Sequence, residues 1–401
     1  MGCMTDVERV LVIGATGNIG RVAVELLLRR GVAVRGLARD ASSLPEGVEG
    51  VSADVRDVEA VRGAVRDVDA VLLIWPFMAA ENIAEVAGVL GRRVVYVSAM
   101  SVRDELPPER NGVWGQVEDA IRSAGGAWTF LRASGFATNT LQWAAAVRAG
   151  REVRIPYLGA ARSLIHERDI AESAVVALTE PGHARRSYVL SGPEAVTQAQ
   201  QVHLIGLAAG LPVVAAEADP DEARAEMLAW ADPAFADQAL GYWASLVDEP
   251  EPVAGGVLEL TGHPARSFAQ WAADHAADFR PPSTEDIAHR YVAAMRDGRM
   301  ERAVALYDPA VVRVAPLEGG GEVRGLPAVL ANGERLTADL DIHGVTVQGP
   351  YLGDGQFAVR FGFEQTRRST GERFSSAKLS LFTVGGGAIV REEVHYFDPP
   401  A

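Results

Sequence analysis

The sequence predicts a doubly wound α/β domain with a parallel sheet, followed by a separate and smaller α+β domain. Three observations support this prediction. Short apolar runs alternate with helical patterns in the first half of the chain, a glycine-rich loop joins the first run to the first helix, and long alternating strands dominate the region after Val311. A length of 401 residues also exceeds the roughly 150 residues that a typical single domain contains.

The N-terminal strands are predicted from short apolar runs, which are typical of parallel strands covered by helices on both faces. The first run, at 9–13, leads into a helix at 19–30, which Gly31 ends. A second strand at 32–38 is followed by a helix at 58–65. The remaining elements alternate in the same way, with strands at 69–74, 93–98 and 127–132 and helices at 80–90 and 114–124.

Beyond Arg132 the apolar residues recur mostly at helical spacing. The predicted helices lie at 138–148, 169–179, 197–208, 220–230, 234–246 and 267–278. His166 precedes the second of these helices, and Asp169 is expected to cap it, so a structural network is favoured over catalysis there. These helices complete a first domain over residues 1–280.

A pair of prolines at 281–282 interrupts the helical pattern and precedes the second domain, residues 284–401. Ser283, with Asp286 three residues later, is expected to cap a new helix at 284–297. Alternating strands joined by glycine-bearing turns then predict a curved antiparallel sheet. These strands lie at 342–349, 356–366, 374–384 and 388–396.

Composition and charge exclude several classes of protein. With 48% apolar residues the chain is globular, and a single cysteine, Cys3, excludes a disulfide scaffold. A net charge of −15 argues against general binding to nucleic acid or anionic membranes, and the absence of a signal segment or membrane span favours the cytoplasm. Only one of the 38 basic residues, Lys378, is a lysine. A mechanism that needs a lysine within the first 377 residues is therefore excluded.

The glycine-rich loop GATGNIG between the first strand and the first helix predicts dinucleotide binding. Gly14 permits a tight turn, Gly17 lets the backbone approach a pyrophosphate, and Gly20 allows close packing of helix and strand. The helix N-terminus then binds the phosphates through free N–H groups. The residues expected to contact the cofactor here are Gly14, Thr16, Gly17, Asn18, Ile19 and Gly20.

The end of the second strand indicates which dinucleotide is bound. NAD sites usually carry an acid there for the ribose 2′-hydroxyl, whereas NADP sites use an arginine for the 2′-phosphate. Arg39 stands at this point, with Asp40 one step beyond, and favours NADP(H) over NAD(H); the alternative is a solvated surface arginine. Asp54 and Val55, after the third strand, are expected beside the adenine, although Asp54 also suits a loop cap.

Several further segments carry a resemblance to a known family. They are WTFLR at 128–132, GF at 135–136, IHERDIA at 165–171, YVLSGPE at 188–194, LTG at 260–262 and FAQW at 268–271. Together with the loop, they resemble the NmrA-like branch of the atypical short-chain dehydrogenases, over about residues 8–280. The resemblance implies that Trp75, Pro76 and Ser98 border the nicotinamide and that Phe136 closes over it.

The chain departs from standard short-chain dehydrogenases at the catalytic pair. Those enzymes use Tyr-x-x-x-Lys, in which the lysine lowers the tyrosine pKa and the tyrosine transfers a proton. Here Arg110 stands near the tyrosine position and Trp114 at the lysine position, and Ala133 replaces a family proline. Relatives without the pair include reducers of quinone-like substrates and NADP-binding sensors. Ser98 remains a candidate to donate a hydrogen bond to a substrate carbonyl.

The second domain resembles the SnoaL-like members of the NTF2-like superfamily, which are cone-shaped α+β domains with a helix packed in a curved sheet. The residues that carry the resemblance lie at 286–297, 303–307, 357–361, 370–373, 382–384 and 389–393. The resemblance implies an acid–base enzyme such as a polyketide cyclase or a ketosteroid isomerase, or a non-catalytic module that forms a homodimer. The acid of the cyclases falls near Val394, which cannot transfer protons.

Strand alternation near the C-terminus separates two sets of side chains. Arg391, Glu393 and His395 share one face, and Glu392 lies on the other with Val390, Val394 and Tyr396. The sequence leaves open which face lines a pocket. Glu393 and His395 are the catalytic candidates, the alternative being a solvated ladder of opposite charges, and Lys378 is expected at the surface rather than in a site.

These expectations combine into an NADP(H)-dependent oxidoreductase that acts on a conjugated carbonyl, a quinone or a polyketide-type small molecule. The fused domain is expected to isomerise or cyclise the product, or to provide a dimer interface. Two alternatives stay open: a non-catalytic NADP(H) redox sensor, and a cyclase or isomerase in which the cofactor is structural. No metal site is predicted.

Overall fold

The computed structural model describes residues 7–91, 93–318 and 321–397, so Cys3 lies outside the described residues. The chain divides into two compact units, Met1–Phe279 and Arg280–Ala401. Within the described ranges, no helix is both long and apolar enough to cross a membrane.

The first unit contains a seven-stranded parallel sheet with the order β3-β2-β1-β4-β5-β6-β9. In chain order, the strands of this unit are β1 (Arg9–Ile13), β2 (Ala33–Ala38), β3 (Glu49–Ser52), β4 (Ala70–Leu73), β5 (Arg93–Ala99), β6 (Ala127–Ala133), β7 (Val153–Ile155), β8 (Ala161–Arg162), β9 (Arg186–Leu190), β10 (Val196–Thr197) and β11 (Ala215–Glu217). The predicted doubly wound parallel sheet is confirmed. β9, at its edge, adds to the predicted strands.

Twelve α-helices among the described residues accompany these strands. They are α1 (Asn18–Arg29), α2 (Val58–Ala64), α3 (Ile83–Val89), α4 (Gly112–Ser123), α5 (Ala144–Arg148), α6 (Glu167–Thr179), α7 (Gln198–Ala209), α8 (Pro220–Met227), α9 (Pro233–Ser245), α10 (Gly256–Thr261), α11 (Phe268–Asp274) and α12 (Ala276–Phe279).

Both faces of the sheet are buried because helices cover each of them. Val10 and Val12 of β1 pack in a core with α1 and α6, whereas Leu11 and Ile13 pack on the opposite face with α2, α3 and α4. This accounts for the continuous apolar runs in the sequence, since strands covered on both sides have no solvent-facing positions.

The start of α6 differs from the prediction. His166, rather than Asp169, is the N-cap residue, and its Nδ1 accepts a hydrogen bond from the backbone N–H of Arg168. Asp169 is fully buried and instead accepts hydrogen bonds from the backbone N–H and the guanidinium of Arg266. An aspartate three residues after the cap thus anchors a distant segment of the chain, which sequence spacing alone does not indicate.

The second unit packs a helix against a six-stranded sheet with the order β13-β12-β17-β16-β15-β14. Its helices are α13 (Thr284–Arg296), α14 (Met300–Val304) and α15 (Leu326–Thr337), and its strands are β12 (Tyr307–Ala315), β13 (Gly321–Arg324), β14 (Leu340–Gly353), β15 (Gln356–Arg367), β16 (Arg373–Gly385) and β17 (Ala388–Tyr396). The sheet is mixed rather than antiparallel throughout, because β12 runs parallel to β17.

One face of this sheet holds the core of the second unit. Ile287 and Tyr291 of α13 pack against Phe357 and Phe361 of β15 and Phe382 of β16. Ser283 caps α13 as predicted, and Asp286 completes a reciprocal capping box with it. The predicted helix in a SnoaL-like sheet is therefore confirmed, and the face beneath α13 is the interior face of the domain.

Candidate active site

The glycine-rich loop leaves β1 and enters α1 at the carboxyl edge of the parallel sheet. Gly14 has a positive φ of 86° and donates its backbone N–H to Leu37 O at 3.0 Å. A Cβ on Gly20 would lie 2.0 Å from the carbonyl oxygen of Gly14, so only glycine permits this approach of helix and loop. Gly17 is exposed at the N-cap of α1.

The N-terminus of α1 suits a dinucleotide pyrophosphate. No side chain caps this helix, so its first N–H groups point towards the space outside the loop without a side-chain acceptor. Thr16 and Asn18 are exposed beside Gly17. An exposed glycine backbone at an uncapped helix N-terminus is the arrangement in which a phosphate can accept hydrogen bonds from the backbone. Ile19, by contrast, is buried in the core and supports the loop from behind.

Arg39 is exposed directly after β2, next to the end of β1 in the sheet. Its neighbour Asp40 is engaged elsewhere, since its carboxylate accepts hydrogen bonds from the backbone N–H and hydroxyl of Ser42. These bonds hold the pKa of Asp40 below its usual value. The acid beside Arg39 therefore caps a short helical turn, while Arg39 itself is exposed.

Asp54 is bound by Arg56, which donates to its two carboxylate oxygens at 3.1 and 2.8 Å. The side-chain hydrogen bond from Arg56 lowers the pKa of Asp54 to about 2, and the charge of Arg39 acts in the same direction. The Arg56 guanidinium also lies 4.3 Å from the ring centroid of Phe77. Asp54 thus forms part of a turn, which was the alternative to a direct adenine contact, and Val55 is buried beneath it.

The residues expected around the nicotinamide follow neighbouring strands. Trp75 lies just after β4, donates its indole N–H to Ala79 O at 2.9 Å, and packs edge-on against Phe77. Pro76 is exposed beside it. Phe136 follows β6, is half-buried, and pairs with Ile165 through an isolated bridge. All these positions lie at the carboxyl edge of the sheet, where ligands of doubly wound folds bind.

Ser98 lies near the end of β5 but is fully engaged by its neighbours. It is buried, and its hydroxyl donates to Glu118 Oε1 at 2.7 Å. Glu118, on α4, is completely buried and also accepts hydrogen bonds from Arg132 at 3.0 and 2.8 Å. A substrate carbonyl could receive the Ser98 hydroxyl proton only if this bond broke. Donation by Ser98 to a substrate thus stays a prediction.

Arg110 and Trp114 are the residues that the sequence predicts at the positions of the catalytic pair. Arg110 is exposed in a short 3₁₀ helix, Pro108–Asn111, that precedes α4. Trp114 lies in the first turn of α4 and packs against the core. A guanidinium stays protonated at working pH and an indole N–H does not ionise, so neither side chain transfers a proton as tyrosine does.

The interior face of the second unit holds a network of buried polar side chains. Arg313 of β12 binds Glu318 through two hydrogen bonds, one of them 2.8 Å long, and forms an ion pair with Glu392 at 3.3 Å. Glu392 also accepts a hydrogen bond from Ser380 at 2.9 Å. Tyr396 donates its hydroxyl to Glu318. Burial opposes ionisation of Glu318, but the hydrogen bonds from Arg313 and Tyr396 prevail and lower its pKa.

The two catalytic candidates in this unit lie away from that network. Glu393 is bound to Arg391 at 2.7 Å, with both side chains more than one-third exposed, and His395 is exposed. This arrangement is the ladder of opposite charges that was the alternative to catalysis. Neither residue lies on the interior face, and a catalytic role for either one stays a prediction. Sequence alternation had already separated Glu392 from them, and the packing of α13 identifies its face as the interior one.

Lys378 does not occupy the expected surface position. It lies on β16 directly opposite Phe361 of β15 and Tyr396 of β17, on the interior face. The expectation was wrong because Lys378 alternates with Ser376 and Ser380, and a strand with serines on both sides resembles a solvated one. The network itself was missed because Arg313 and Glu318 belong to β12 and a 3₁₀ helix that the sequence did not predict.

Comparison with known proteins finds relatives for both units. Residues 14–181 match the family described as NAD(P)H-binding, and residues 288–392 match the SnoaL-like domain family. The chain is similar to the (4-alkanoyl-5-oxo-2,5-dihydrofuran-3-yl)methyl phosphate reductase of Streptomyces griseus, with 37% identity over 290 residues, which cover 68% of this chain and 99% of that protein. It is also similar to the NAD(P)H azoreductase of Xenophilus azovorans, with 32% identity over 286 residues, covering 67% and 99%.

A solved structure shares the fold of the first unit. The triphenylmethane reductase of a Citrobacter species is 20% identical and superposes with a TM-score of 0.56, covering 67% of this chain and 99% of that protein. At this level of identity the likeness concerns the fold alone.

Proposed function

The chain belongs to the NAD(P)H-binding oxidoreductases of NmrA-like type, extended by a SnoaL-like domain, and we propose that it is an NADP(H)-dependent reductase of a conjugated carbonyl or quinone-like small molecule. The observation that carries the proposal is the glycine loop at the uncapped N-terminus of α1, where a Cβ on Gly20 would collide with Gly14. This tight packing of the loop on the helix holds the exposed backbone at Gly17 and the first turn of α1 where a pyrophosphate can approach them.

Different residues of the first unit bind the pyrophosphate and the nicotinamide of the cofactor. Backbone N–H groups at the start of α1 bind the pyrophosphate, and Trp75, Pro76 and Phe136 surround the nicotinamide and exclude water. The cofactor, when bound, supplies a hydride to an electron-poor carbon of the substrate. Exclusion of water strengthens the electrostatic interactions within such a site.

A preference for NADP(H) over NAD(H) is supported by two neighbouring side chains. Arg39 is exposed with its guanidinium free to meet a phosphate, and arginine binds phosphate through two parallel hydrogen bonds. Asp40, the acid that could accept the 2′-hydroxyl of NAD, already accepts hydrogen bonds from Ser42. This division favours the cofactor that carries a 2′-phosphate.

The substrate class is inferred from the missing proton donor. The chain has no lysine before Lys378, and Arg110 and Trp114 occupy the places of the catalytic pair. Alcohol–ketone interconversion depends on such a donor, whereas a quinone or an enone accepts a hydride to give a stabilised anion, which solvent can protonate. The substrate named for the Streptomyces griseus relative, an alkanoyl-oxo-dihydrofuran, has a carbon–carbon double bond conjugated with carbonyl groups.

A stopped-flow experiment tests the proposal. We expect loss of NADPH absorbance when the full chain meets a panel of quinones, enones and alkanoyl butenolides, and no reaction with simple ketones. Cofactor binding without oxidation across the whole panel would instead support the redox-sensor alternative. Equal rates with simple ketones would refute the substrate class.

A second function, in the SnoaL-like domain, is favoured by one observation. Glu392 and Arg313 are buried on the interior face together with tyrosine and serine hydroxyls, where acid–base catalysts of the superfamily work in an apolar surrounding. We propose that this domain isomerises or cyclises a carbonyl substrate. Product analysis with Glu392→Gln, compared with Glu393→Gln on the outer face, tests this: loss of rearranged product is expected only with the first.

A further inference from the structure

The only lysine of the chain lies inside the second domain. Lys378 stands in the middle of β16, and its direct cross-strand neighbours are Phe361 on β15 and Tyr396 on β17. Directly opposed residues point to the same face of a sheet, so these three side chains are adjacent. Phe361 belongs to the core beneath α13, which identifies the shared face as the interior one.

Aromatic rings cover one side of the Lys378 amine. Its Nζ lies 5.6 Å from the ring centroid of Phe361 and 5.8 Å from that of Phe363. These distances approach the outer limit of a cation–π attraction, which therefore stabilises the ammonium form only weakly. The side chain as a whole is partly exposed, so the aromatic rings shield the amine without separating the residue from solvent.

The acidic groups near Lys378 are occupied by other partners. Glu318 is bound by Arg313 and Tyr396, and Glu392 is bound by Ser380 and Arg313. Among residues 7–91, 93–318 and 321–397, no carboxylate forms an ion pair with Lys378. Arg313 forms ion pairs with both Glu318 and Glu392, so neither carboxylate is left to pair with Lys378. The positive charge of Arg313 also opposes protonation of Lys378.

These surroundings favour the neutral amine. Burial lowers the pKa of Lys378, the charge of Arg313 lowers it further, and the charges of Glu392 and Glu318 offset only part of this effect. A lysine becomes a nucleophile at neutral pH when desolvation or a neighbouring cation lowers its pKa in this way. Every other basic residue of the chain is an arginine, whose guanidinium stays protonated, whereas the amine of Lys378 can lose its proton.

We propose that Lys378 is the nucleophile of a second site, which captures the carbonyl carbon of an aldehyde or ketone as a Schiff base. The nitrogen lone pair forms the new bond to the carbonyl carbon, and the carbonyl oxygen leaves as water with the two protons of the neutral amine. The step involves no change of oxidation state. Phe363, which is partly exposed beside the amine, favours carbonyl compounds with an aromatic or flat apolar body.

Reductive trapping tests this proposal directly, because a chain with one lysine gives an unambiguous product. The full chain is incubated at about pH 7 with benzaldehyde and sodium cyanoborohydride, without nicotinamide cofactor, and the modified residue is located by peptide mass mapping. We expect a benzyl group on Lys378 at a rate at least about tenfold above that of Nα-acetyl-lysine amide, since the neutral amine is the form that attacks a carbonyl carbon.

A matched variant moves the lysine to the surface. Lys378→Arg combined with Arg324→Lys places the only lysine at a position where the side chain is 74% exposed. This variant should label no faster than the model amine. Labelling of the wild-type chain at the model rate, or only at the terminal amine, would overturn the proposal. That comparison uses only the native chain, so it holds even if the variant does not fold, and it is independent of whether NADPH is oxidised.

Discussion

The carbonyl oxygen of Gly14 and the α-carbon of Gly20 are so close that a Cβ on Gly20 would lie 2.0 Å from that oxygen. A Cβ would also fall 2.9 Å from the α-carbon of Ala15. Both obstacles are backbone atoms, which cannot rotate away. The turn and the helix that would hold the pyrophosphate can therefore pack this closely only because residue 20 has no side chain.

The first prediction follows from this contact. Gly20→Ala should destabilise the first unit by about 1–3 kcal/mol, as overpacking of a dense site does, and should weaken NADPH binding because the loop must shift. Urea denaturation and fluorescence titration measure the two effects. Gly63→Ala is the matched control, since Gly63 lies in α2 with open space around its α-carbon. Alanine there should be neutral or stabilising by up to about 1 kcal/mol.

The second prediction concerns cofactor choice. Arg39→Ala should weaken NADPH binding about 10- to 100-fold, the equivalent of the 1.5–3 kcal/mol that hydrogen bonds to a charged group typically contribute. NADH binding should change little, because NADH has no phosphate at this position. Parallel titrations of both cofactors provide the measurement. Arg29→Ala, which removes an exposed arginine paired only with Glu25 on α1, should leave both affinities unchanged. Equal affinity of the wild-type chain for NADPH and NADH would contradict the assignment.

The cofactor loop was predictable because its signal is local in the sequence. Gly14, Gly17 and Gly20 lie within seven residues between a strand and a helix, and their roles depend on that context alone. The position of Arg39 follows from the same logic, since the end of the second strand lies beside the first in any doubly wound sheet, whereas its role in cofactor choice stays a prediction.

The interior of the second domain was not predictable for the opposite reason. Alternation assigns Glu392 and Glu393 to opposite faces of β17, but only the packing of α13 decides which face is buried. The partners of Glu392 also come from distant segments, Arg313 on β12 and Tyr307 at its start. Pairing across some 80 residues leaves no spacing pattern to detect, and β12 itself was not predicted.

The third prediction separates structure from catalysis at Ser98. Glu118 has no exposed surface and holds Arg132, so Glu118→Gln should cost about 3–5 kcal/mol of unfolding free energy, as expected when one charge of a buried pair is lost. Ser98→Ala removes a single hydrogen bond and should cost about 1 kcal/mol. Chemical denaturation of the two variants provides the test, and Glu59→Gln, in an exposed pair with Arg62, is the control with little expected effect.

The kinetics of Ser98→Ala then decide its role. Because its hydroxyl already donates to Glu118, we expect turnover of the folded variant to stay within about tenfold of the wild type. A larger fall, in the range of about 10²–10⁴ that a lost general acid produces, would show that Ser98 delivers the proton.

The fourth prediction is a pH dependence of stability set by His275. Its Nε2 lies 2.7 Å from Glu167 and its Nδ1 lies 2.7 Å from Asp278. The bond to Glu167 is the main cause that raises the pKa of His275 above 6.5. Although burial opposes ionisation of Glu167, the neighbouring imidazole of His166 and the hydrogen bond from His275 prevail and lower its pKa.

The signs of these two shifts define the pH window. A raised histidine pKa gives stability that is fully present below about pH 6.5 and is lost as the pH rises through the folded-state value. The lowered pKa of Glu167 gives stability that is lost only below about pH 4.5, so it is constant across this window. We therefore expect the His275 contribution to fall as the pH rises above about 6.5.

His275→Gln isolates this contribution. The pH dependence of unfolding must be compared between variant and wild type, because burial lowers the pKa of His183, which makes stability rise with pH up to about 6.5, just below the range in which the His275 contribution is lost. The wild type should lose more stability than His275→Gln as the pH increases, and His203→Gln, at an exposed position of α7, should match the wild type. Parallel curves for the wild type and His275→Gln would mean that the Glu167 carboxylate does not hold His275 in its charged form.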